Sequence, residues 1–508
     1  MPAPPLCQQI NEDIANMTTL NRSTLSTLGK QVSTPQYHSQ DVSSGILHFG
    51  VGNFHRAHQA VYCDALLNLK DLQWGITGVS MRSPDVRDVL RKQDYYYTLA
   101  LIDQNTEYRV IGALQRVLFA VEECGEILKQ FAKQETQLIT TTITEKGYCL
   151  AHGKLDLEHV SIKHDMASIQ APQSIYGYLA AGLIERFSAC RSTENGQLTI
   201  LCCDNISAGG EIIESGVKAL LEIHNTDTLA WLNTNVSFIS SMVDRVTPAD
   251  SEAFTEQVKE VLGVEDNAAV STEPFSQWVI EDNFAGKRPD FDKVGAVFSK
   301  DVGAFERVKL RFLNAAHTML SILGYLADDE YIHQALQRKA FAQFTRDVLI
   351  EEVLPVTSVS SEINAHDYID SIFARFANAR LPYKVMQVGT DSSQKIQQRL
   401  FPSVDASLAQ EQDTDGLAFI LAAWVCFIRK ALDQGDLNDV QKEQFNERLS
   451  SNKSFDLLHC LSIAQVHQCE FINDEIFIKK LIDFRAQIDK NGIFETINTL
   501  STKEVELT

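Results

Sequence analysis

The chain carries two hydrophobic rhythms in succession. Short apolar runs of strand length fill its first part, at 46–49, 74–80, 97–101, 108–111, 138–143, 198–203 and 236–243, with a further strand and loop over 273–297. Runs of this length bounded by turn residues read as strands, and those without polar alternation as strands covered on both faces. Beyond about residue 300 apolar residues recur instead every three or four positions, over 309–326, 331–352, 365–377, 417–432, 442–449 and 476–489. That spacing predicts helices, with little strand pattern between them. The first 44 residues are polar and rich in Ser, Thr and Gln, and read as an irregular lead-in with one short helix near 11–17. The expected organisation is a lead-in over 1–44, an α/β domain over 45–299 and a mainly α-helical domain over 300–508.

The first strand runs directly into Gly50-Val51-Gly52-Asn53-Phe54-His55, and residues 58–69 after it have helical spacing. A strand, a Gly-x-Gly turn and a helix open a Rossmann-like dinucleotide-binding unit. The first glycine permits the tight turn, the second lets backbone approach a pyrophosphate, and the helix N-terminus offers free N–H groups to its charge. Gly50, Val51, Gly52, Asn53 and Phe54 are therefore the candidate cofactor residues. His55 stands where a third glycine is usual, and a lone Gly-x-Gly also fits an ordinary turn. The strand at 74–80 should end in an acid for the ribose of NAD, but Met81-Arg82-Ser83-Pro84-Asp85 follows it. Asp85 comes late and Arg82 suits a 2′-phosphate, so NAD and NADP both stay open.

In open α/β sheets ligands bind beyond the carboxyl ends of the strands. Those ends carry Thr144-Glu145-Lys146-Gly147-Tyr148, then Asp204-Asn205-Ile206-Ser207, and after 236–243 the pair Asp244-Arg245. Read alone, Asn205 is a turn residue and Asp244 a structural acid paired with Arg245.

One helical stretch concentrates chemistry. In Glu306-Arg-Val-Lys309-Leu-Arg-Phe-Leu-Asn314-Ala-Ala-His317, an α-helix with Lys309 at zero puts Glu306 at about 60°, His317 at about 80° and Asn314 at about 140°. A lysine as base, a carboxylate one turn away to exchange its proton, and an amide and imidazole to hold an oxygen suit proton removal from an alcohol. A lysine of ordinary pKa, ~10.4, needs burial or neighbouring positive charge for that task. The plain alternative is a solvated face with one Glu–Lys pair.

Composition narrows the partners. A chain of 508 residues with 44% hydrophobic content has material for two cores and little call for disorder. Its formal charge of −22 opposes nucleic acid and anionic membrane, so an anionic small substrate would need a local basic cluster. Ten cysteines without Cys-x-x-Cys spacing read as reduced thiols and leave no metal site expected. The start of the chain lacks a basic segment followed by an apolar core, and no run reaches membrane-spanning length, so cytoplasmic residence is expected. Oligomeric state is not legible.

Taken in order, Gly-Val-Gly-Asn-Phe-His-Arg-Ala-His-Gln, Asp-Asn-Ile-Ser, Val-Asp-Arg-Val-Thr-Pro and Lys-x-x-x-x-Asn-x-x-His resemble the polyol-specific long-chain dehydrogenase (mannitol dehydrogenase) family from about Gly45 to beyond Arg399. The resemblance implies metal-free hydride exchange between a nicotinamide and a secondary alcohol or ketone. It assigns Lys309 as general base, Asn205 and Asn314 as amides on the reacting oxygen, His317 as a substrate-fixing imidazole, Asp244 as a strand-end acid at the substrate and Glu306 as proton relay. Thr-Glu145-Lys146-Gly-Tyr-Cys and Asp391-Ser-Ser-Gln-Lys395 through Gln398-Arg399-Leu400 are most similar to the family's fructuronate reductases (D-mannonate oxidoreductases). Lys395, Lys146 and Glu145 then become substrate contacts, and D-mannonate/D-fructuronate with NAD the implied reaction. A mannitol 2-dehydrogenase is the alternative within the family. An inactive nucleotide-binding regulator would be marked by loss of Lys309, Asn314 or His317, all of which are present.

Overall fold

The computed structural model describes residues 18–151, 154–192, 196–249, 251–451 and 457–505, so the helix expected near 11–17 lies outside the described residues. The chain divides into two compact units, Met1–Gly303 and Ala304–Thr508.

The first unit is built on a parallel sheet of β1 (Ile46–Phe49), β2 (Ile76–Ser80), β3 (Leu114–Phe119), β4 (Leu138–Thr141), β5 (Leu198–Cys202) and β6 (Val236–Ile239). Its order is β3-β2-β1-β4-β5-β6, with every pairing parallel. Every residue of β1, β2, β4 and β5 is buried, which is why these strands read as mainly apolar runs free of charged residues. Alternate side chains feed two cores. Leu47 and Phe49 join Tyr176, Leu179 and Leu183 on one face, whereas Ile46 joins Leu66, Trp74 and Leu114 on the other.

Several sequence expectations are corrected here. The run 236–243 is two strands, because the chain leaves the parallel sheet at Ser240. There Ser240 N–H donates to the Glu281 carboxylate at 2.9 Å, and Ser240 Oγ accepts from Gly210 N–H at 3.0 Å. Ser241–Asp244 then pairs antiparallel with Gln277–Glu281 in a separate three-stranded sheet. Tyr97–Leu101 and Glu107–Ile111 form a third sheet with Val32–Ser33 and Val270–Thr272. Strand β3, polar at Gln115 and Arg116, has no clean apolar pattern and escapes a reading by periodicity. The helix expected over 58–69 is preceded by a five-residue helix, Asn53–Ala57, with the break at His58 (φ −121°, ψ −92°).

The second unit is helical and its core surrounds Asp415–Gln434, buried continuously from Gly416 through Ile428. A helix apolar on all sides belongs inside. The free N–H groups of Gly416 and Leu417 at its start donate to the buried Glu352 carboxylate at 2.6 and 2.9 Å. The single helix expected over 331–352 is broken at Arg338 (ψ 103°), whose guanidinium makes a paired bond to Asp329 at 2.8 Å, and ends in a π-helical turn, Val348–Val353. Among the described residues no helix is long and apolar enough to cross a membrane.

Below the first turn of the parallel sheet two histidine rings stack, His48 on His55, with centroids 3.5 Å apart. Both side chains are fully buried, and His48 bonds the hydroxyls of Thr140 and Thr142 at 2.8 and 3.0 Å. Burial holds His48 down to about 3 and pushes His55 well below its ordinary value, so both are neutral in the folded protein. The unfolded chain takes up protons at both below pH ~6.5. The stability tied to neutral His48 is therefore complete above that pH and is lost as pH falls toward about 3. Thermal unfolding should shift downward between pH 7 and pH 5. His48→Gln should flatten that slope by up to about 1.4 kcal/mol per pH unit, while lowering stability at pH 7. An unchanged slope would mean that His48 is protonated when folded.

Candidate functional site

The glycine turn after β1 is shaped by two different demands. Gly50 has φ +105°, and a Cβ there would lie 2.0 Å from the Thr142 carbonyl oxygen, so the fold itself requires glycine. Gly52 is different. A Cβ on it would find open space, with only the Gly50 carbonyl oxygen at 3.9 Å. The absence of a side chain at Gly52 thus leaves room above the turn, as a closely approaching diphosphate requires. Val51 is buried and lies against Gly78 of β2, where an added Cβ would come within 2.4 Å of Val51 Cγ2. Asn53 opens the short helix, its Oδ1 accepts from Arg56 at 2.6 Å, and Phe54 stacks on His58 at 5.1 Å. His55, in the usual third-glycine position, packs its ring on β1 instead. These residues fit a bound dinucleotide. At the end of β2, Arg82 is exposed and donates to Thr144 Oγ1 at 3.0 Å, while Asp85 lies in the first turn of helix Asp85–Lys92.

The ends of β4 and β5 are tied by Asp204. Its carboxylate accepts from Thr144 N–H at 3.1 Å and from the Tyr148 hydroxyl at 2.5 Å. Thr144 holds φ +73°, a strained conformation for a β-branched residue, and Asp204 and Arg82 together pin it there. In the sequence Asp204 is one residue of the Asp-Asn-Ile-Ser turn, and its place directly after a buried strand is the signal that marks it. Asn205 follows it directly and is exposed. Glu145 and Lys146 lie in the one-turn 3₁₀ helix Glu145–Tyr148, where Lys146 is exposed and the Glu145 side chain lies outside the described residues. Asp244 ends its strand buried, opposite Gln277. Its expected partner Arg245 donates elsewhere, to the carbonyls of Ala57 at 2.6 Å and Glu273 at 3.0 and 3.3 Å.

In the second unit the expected α-helix through Lys309 is interrupted. Val302–Val308 is α, Lys309–Asn314 is π, and Ala315–Leu326 is α again. In π geometry the hydrogen bond spans i to i+5, so Lys309 and Asn314, five apart, stand nearly one above the other instead of about 140° around the helix. Glu306, Lys309, Asn314 and His317 are all partly buried. The His317 ring stacks on Phe376 at 4.2 Å and meets Tyr383 edge-on at 5.3 Å, and its Nε2 is buried without a hydrogen-bond partner among the described residues. Burial, with Arg399, Arg375 and Lys395 adding to it, holds His317 down to about 3. It is a neutral imidazole. Lys395, on helix Ser392–Arg399, donates to the Val388 carbonyl at 3.0 Å. Arg399 and Arg375 were not assigned from the sequence, though Arg399 shares a face with Lys395 four positions earlier. No three His, Cys, Asp or Glu side chains gather as metal ligands among the described residues.

A six-stranded parallel sheet in this order, with a glycine turn at the carboxyl end of its central strand, defines a dinucleotide-binding fold. The chain belongs to the mannitol dehydrogenase family, with residues 44–293 matching the model of its Rossmann domain and residues 301–483 that of its C-terminal domain. It is 36% identical to the D-mannonate oxidoreductase of Escherichia coli (strain K12), covering 84% of this chain and 87% of that one. An uncharacterized oxidoreductase of the same organism, YeiQ, is 33% identical over 93% of this chain and 98% of its own length. Among solved structures, the Pseudomonas fluorescens mannitol 2-dehydrogenase in ternary complex with NAD and D-mannitol superposes with a TM-score of 0.79, at 31% identity, covering 96% of this chain and 100% of that one. The family and the fold expected from the sequence are both borne out.

The two glycines should separate in experiment. Gly50→Ala is expected to cost about 3 kcal/mol or more of stability. Gly52→Ala should leave the unfolding midpoint within ~1 °C yet weaken NADH binding about tenfold or more. Paired thermal melts and NADH fluorescence titrations check this, and unchanged NADH affinity in Gly52→Ala would remove the turn from the cofactor site.

Proposed function

We propose that this NAD-dependent dehydrogenase interconverts D-mannonate and D-fructuronate. The observation that carries the substrate choice is the basic surround of His317: in a chain of net charge −22, Arg375, Lys395 and Arg399 all act on one neutral imidazole beside the Lys309–Asn314 turn. Such local positive charge suits a carboxylate-bearing substrate better than an uncharged polyol. The 36% identity to D-mannonate oxidoreductase supports the same choice. The other reading, a mannitol 2-dehydrogenase, is supported by the 31% identity to the Pseudomonas enzyme.

Gly50, Val51, Gly52, Asn53 and Phe54 would hold NAD, with Arg82 beside the end of β2. Bound there, NAD supplies the hydride acceptor in oxidation and, as NADH, the donor in reduction. The remaining chemistry is proton transfer and charge stabilisation. Lys309 Nζ takes the hydroxyl proton of the alcohol, and Glu306, one turn before it, passes that proton to solvent. The side-chain amides of Asn205 and Asn314 donate to the oxygen as negative charge develops. His317, being neutral, fixes the substrate by hydrogen bonding without a charge change of its own near neutral pH. Asp244 holds a substrate hydroxyl, and Lys395, Lys146 and Glu145 contact the remainder of the sugar acid.

Steady-state reduction of D-fructuronate and D-fructose by NADH tests the assignment, with kcat/KM expected to be higher for fructuronate by about two orders of magnitude. A higher value for fructose overturns it. Lys309→Ala should lower kcat by about 10²- to 10⁴-fold while leaving NADH affinity within a few-fold, and retained turnover would remove Lys309 from the role of base.

A further inference from the structure

Two buried arginines show how this protein can satisfy a guanidinium group. Arg87 bonds the carboxylates of Asp88, Glu122 and Glu123, whereas Arg186 is wrapped by the carbonyls of Phe131, Lys133, Gly196 and Gln197. Arg399 does neither. One of its nitrogens, Nη1, donates to Thr318 Oγ1 at 2.9 Å and to the Asn314 carbonyl at 3.3 Å. Its other nitrogens make no hydrogen bond to described residues, and no carboxylate lies within ion-pair distance of it among them. Arg399 is thus a partly buried guanidinium without a counter-charge among the described residues, and its planar fork matches the two oxygens of a carboxylate.

The anchoring places this fork beside the catalytic turn. Asn314 closes the π-helical turn that Lys309 opens, and Thr318 is next to His317. Lys395 is four residues before Arg399 on the same helix, hence on the same face. Arg375 adjoins Phe376, the residue stacked on His317. Burial lowers Arg399 to about 10, so it remains a cation at neutral pH, and the imidazole it adjoins adds no charge.

The geometry points to Arg399 as the residue that binds the substrate's carboxylate and sets the preference for sugar acids over uncharged ketoses, with Arg375 beside it as a second cation. This rests on the sugar-acid reading above. Because Nη1 is held by the Asn314 backbone, the carboxylate is registered against the residue whose side-chain amide meets the reacting oxygen.

The test compares wild type, Arg399→Met and Arg399→Lys with D-fructuronate and with D-fructose, each with NADH. Arg399→Met should lose about 100-fold or more in kcat/KM for fructuronate, chiefly through KM, and less than about fivefold for fructose. Arg399→Lys, which keeps charge without the fork, should recover part of the fructuronate activity. It also decides the matter if Arg399→Met does not fold, through a loss of about tenfold confined to fructuronate. Equal losses on both substrates in the folded variant would overturn the proposal and leave Arg399 as a support for the Asn314 backbone.

If wild type prefers fructose, the sugar-acid function fails first. The carboxylate site is then read from competitive inhibition of fructose reduction. D-mannonate should inhibit wild type with a Ki at least tenfold lower than Arg399→Met, with D-mannitol inhibition unchanged. Equal D-mannonate inhibition of both proteins overturns the carboxylate site as well.

Discussion

From Lys309 to Asn314 the backbone of the second unit hydrogen-bonds from i to i+5, between helical segments that bond from i to i+4. This change of offset sets the relative directions of the side chains on that helix. In uninterrupted α geometry Lys309 and Asn314 diverge by more than a third of a turn. The π turn brings them closer to one face, and the helix is α again before His317. Single π turns within α-helices are costly and rare, and they concentrate at functional sites. Its last carbonyl, that of Asn314, is met by Arg399, so the irregular backbone and the cationic fork are held by one contact.

The same logic of placing polar groups in dry surroundings runs through both units. His48 and His55 are stacked and neutral under the glycine turn, and His317 is stacked and neutral beside the π turn. None of the three changes charge near neutral pH. In the mechanism proposed, proton transfer then falls to Lys309 and Glu306, and charge matching to the arginines and lysine around His317. Asp204 performs the corresponding structural work in the first unit, holding Thr144 in a strained conformation so that the ends of β4 and β5 keep one arrangement around Asn205.

Much of this was legible from residues in a row. Buried parallel strands read as apolar runs because both faces are covered, and β1, β2, β4 and β5 each appear where such a run occurs. Strand β3 did not, because Gln115 and Arg116 break the pattern at the sheet edge. The run 236–243 reads as one strand because apolar residues stand on both sides of Ser240 and Ser241, within the length of a single strand. What divides it is a carboxylate, Glu281, about forty residues further on. The Asp244–Arg245 pair looked natural as neighbours, yet Arg245 is claimed by carbonyls from Ala57 and Glu273, which no local pattern announces.

The sequence by itself therefore determined the succession of an α/β part and a helical part, the glycine turn, the Lys-Asn-His spacing and with them the family. All of these depend on hydrogen bonds and side-chain alternation within a few residues. Tertiary structure alone decided the phase of the Lys309–His317 helix, the switch of sheets at Ser240 and the action of Arg375, Lys395 and Arg399 on one histidine. Hydrophobic periodicity reports which face of a segment is buried, but a shift from i+4 to i+5 bonding leaves that report almost unchanged. Electrostatic surroundings depend on groups scores of residues apart, and only folding brings them within reach.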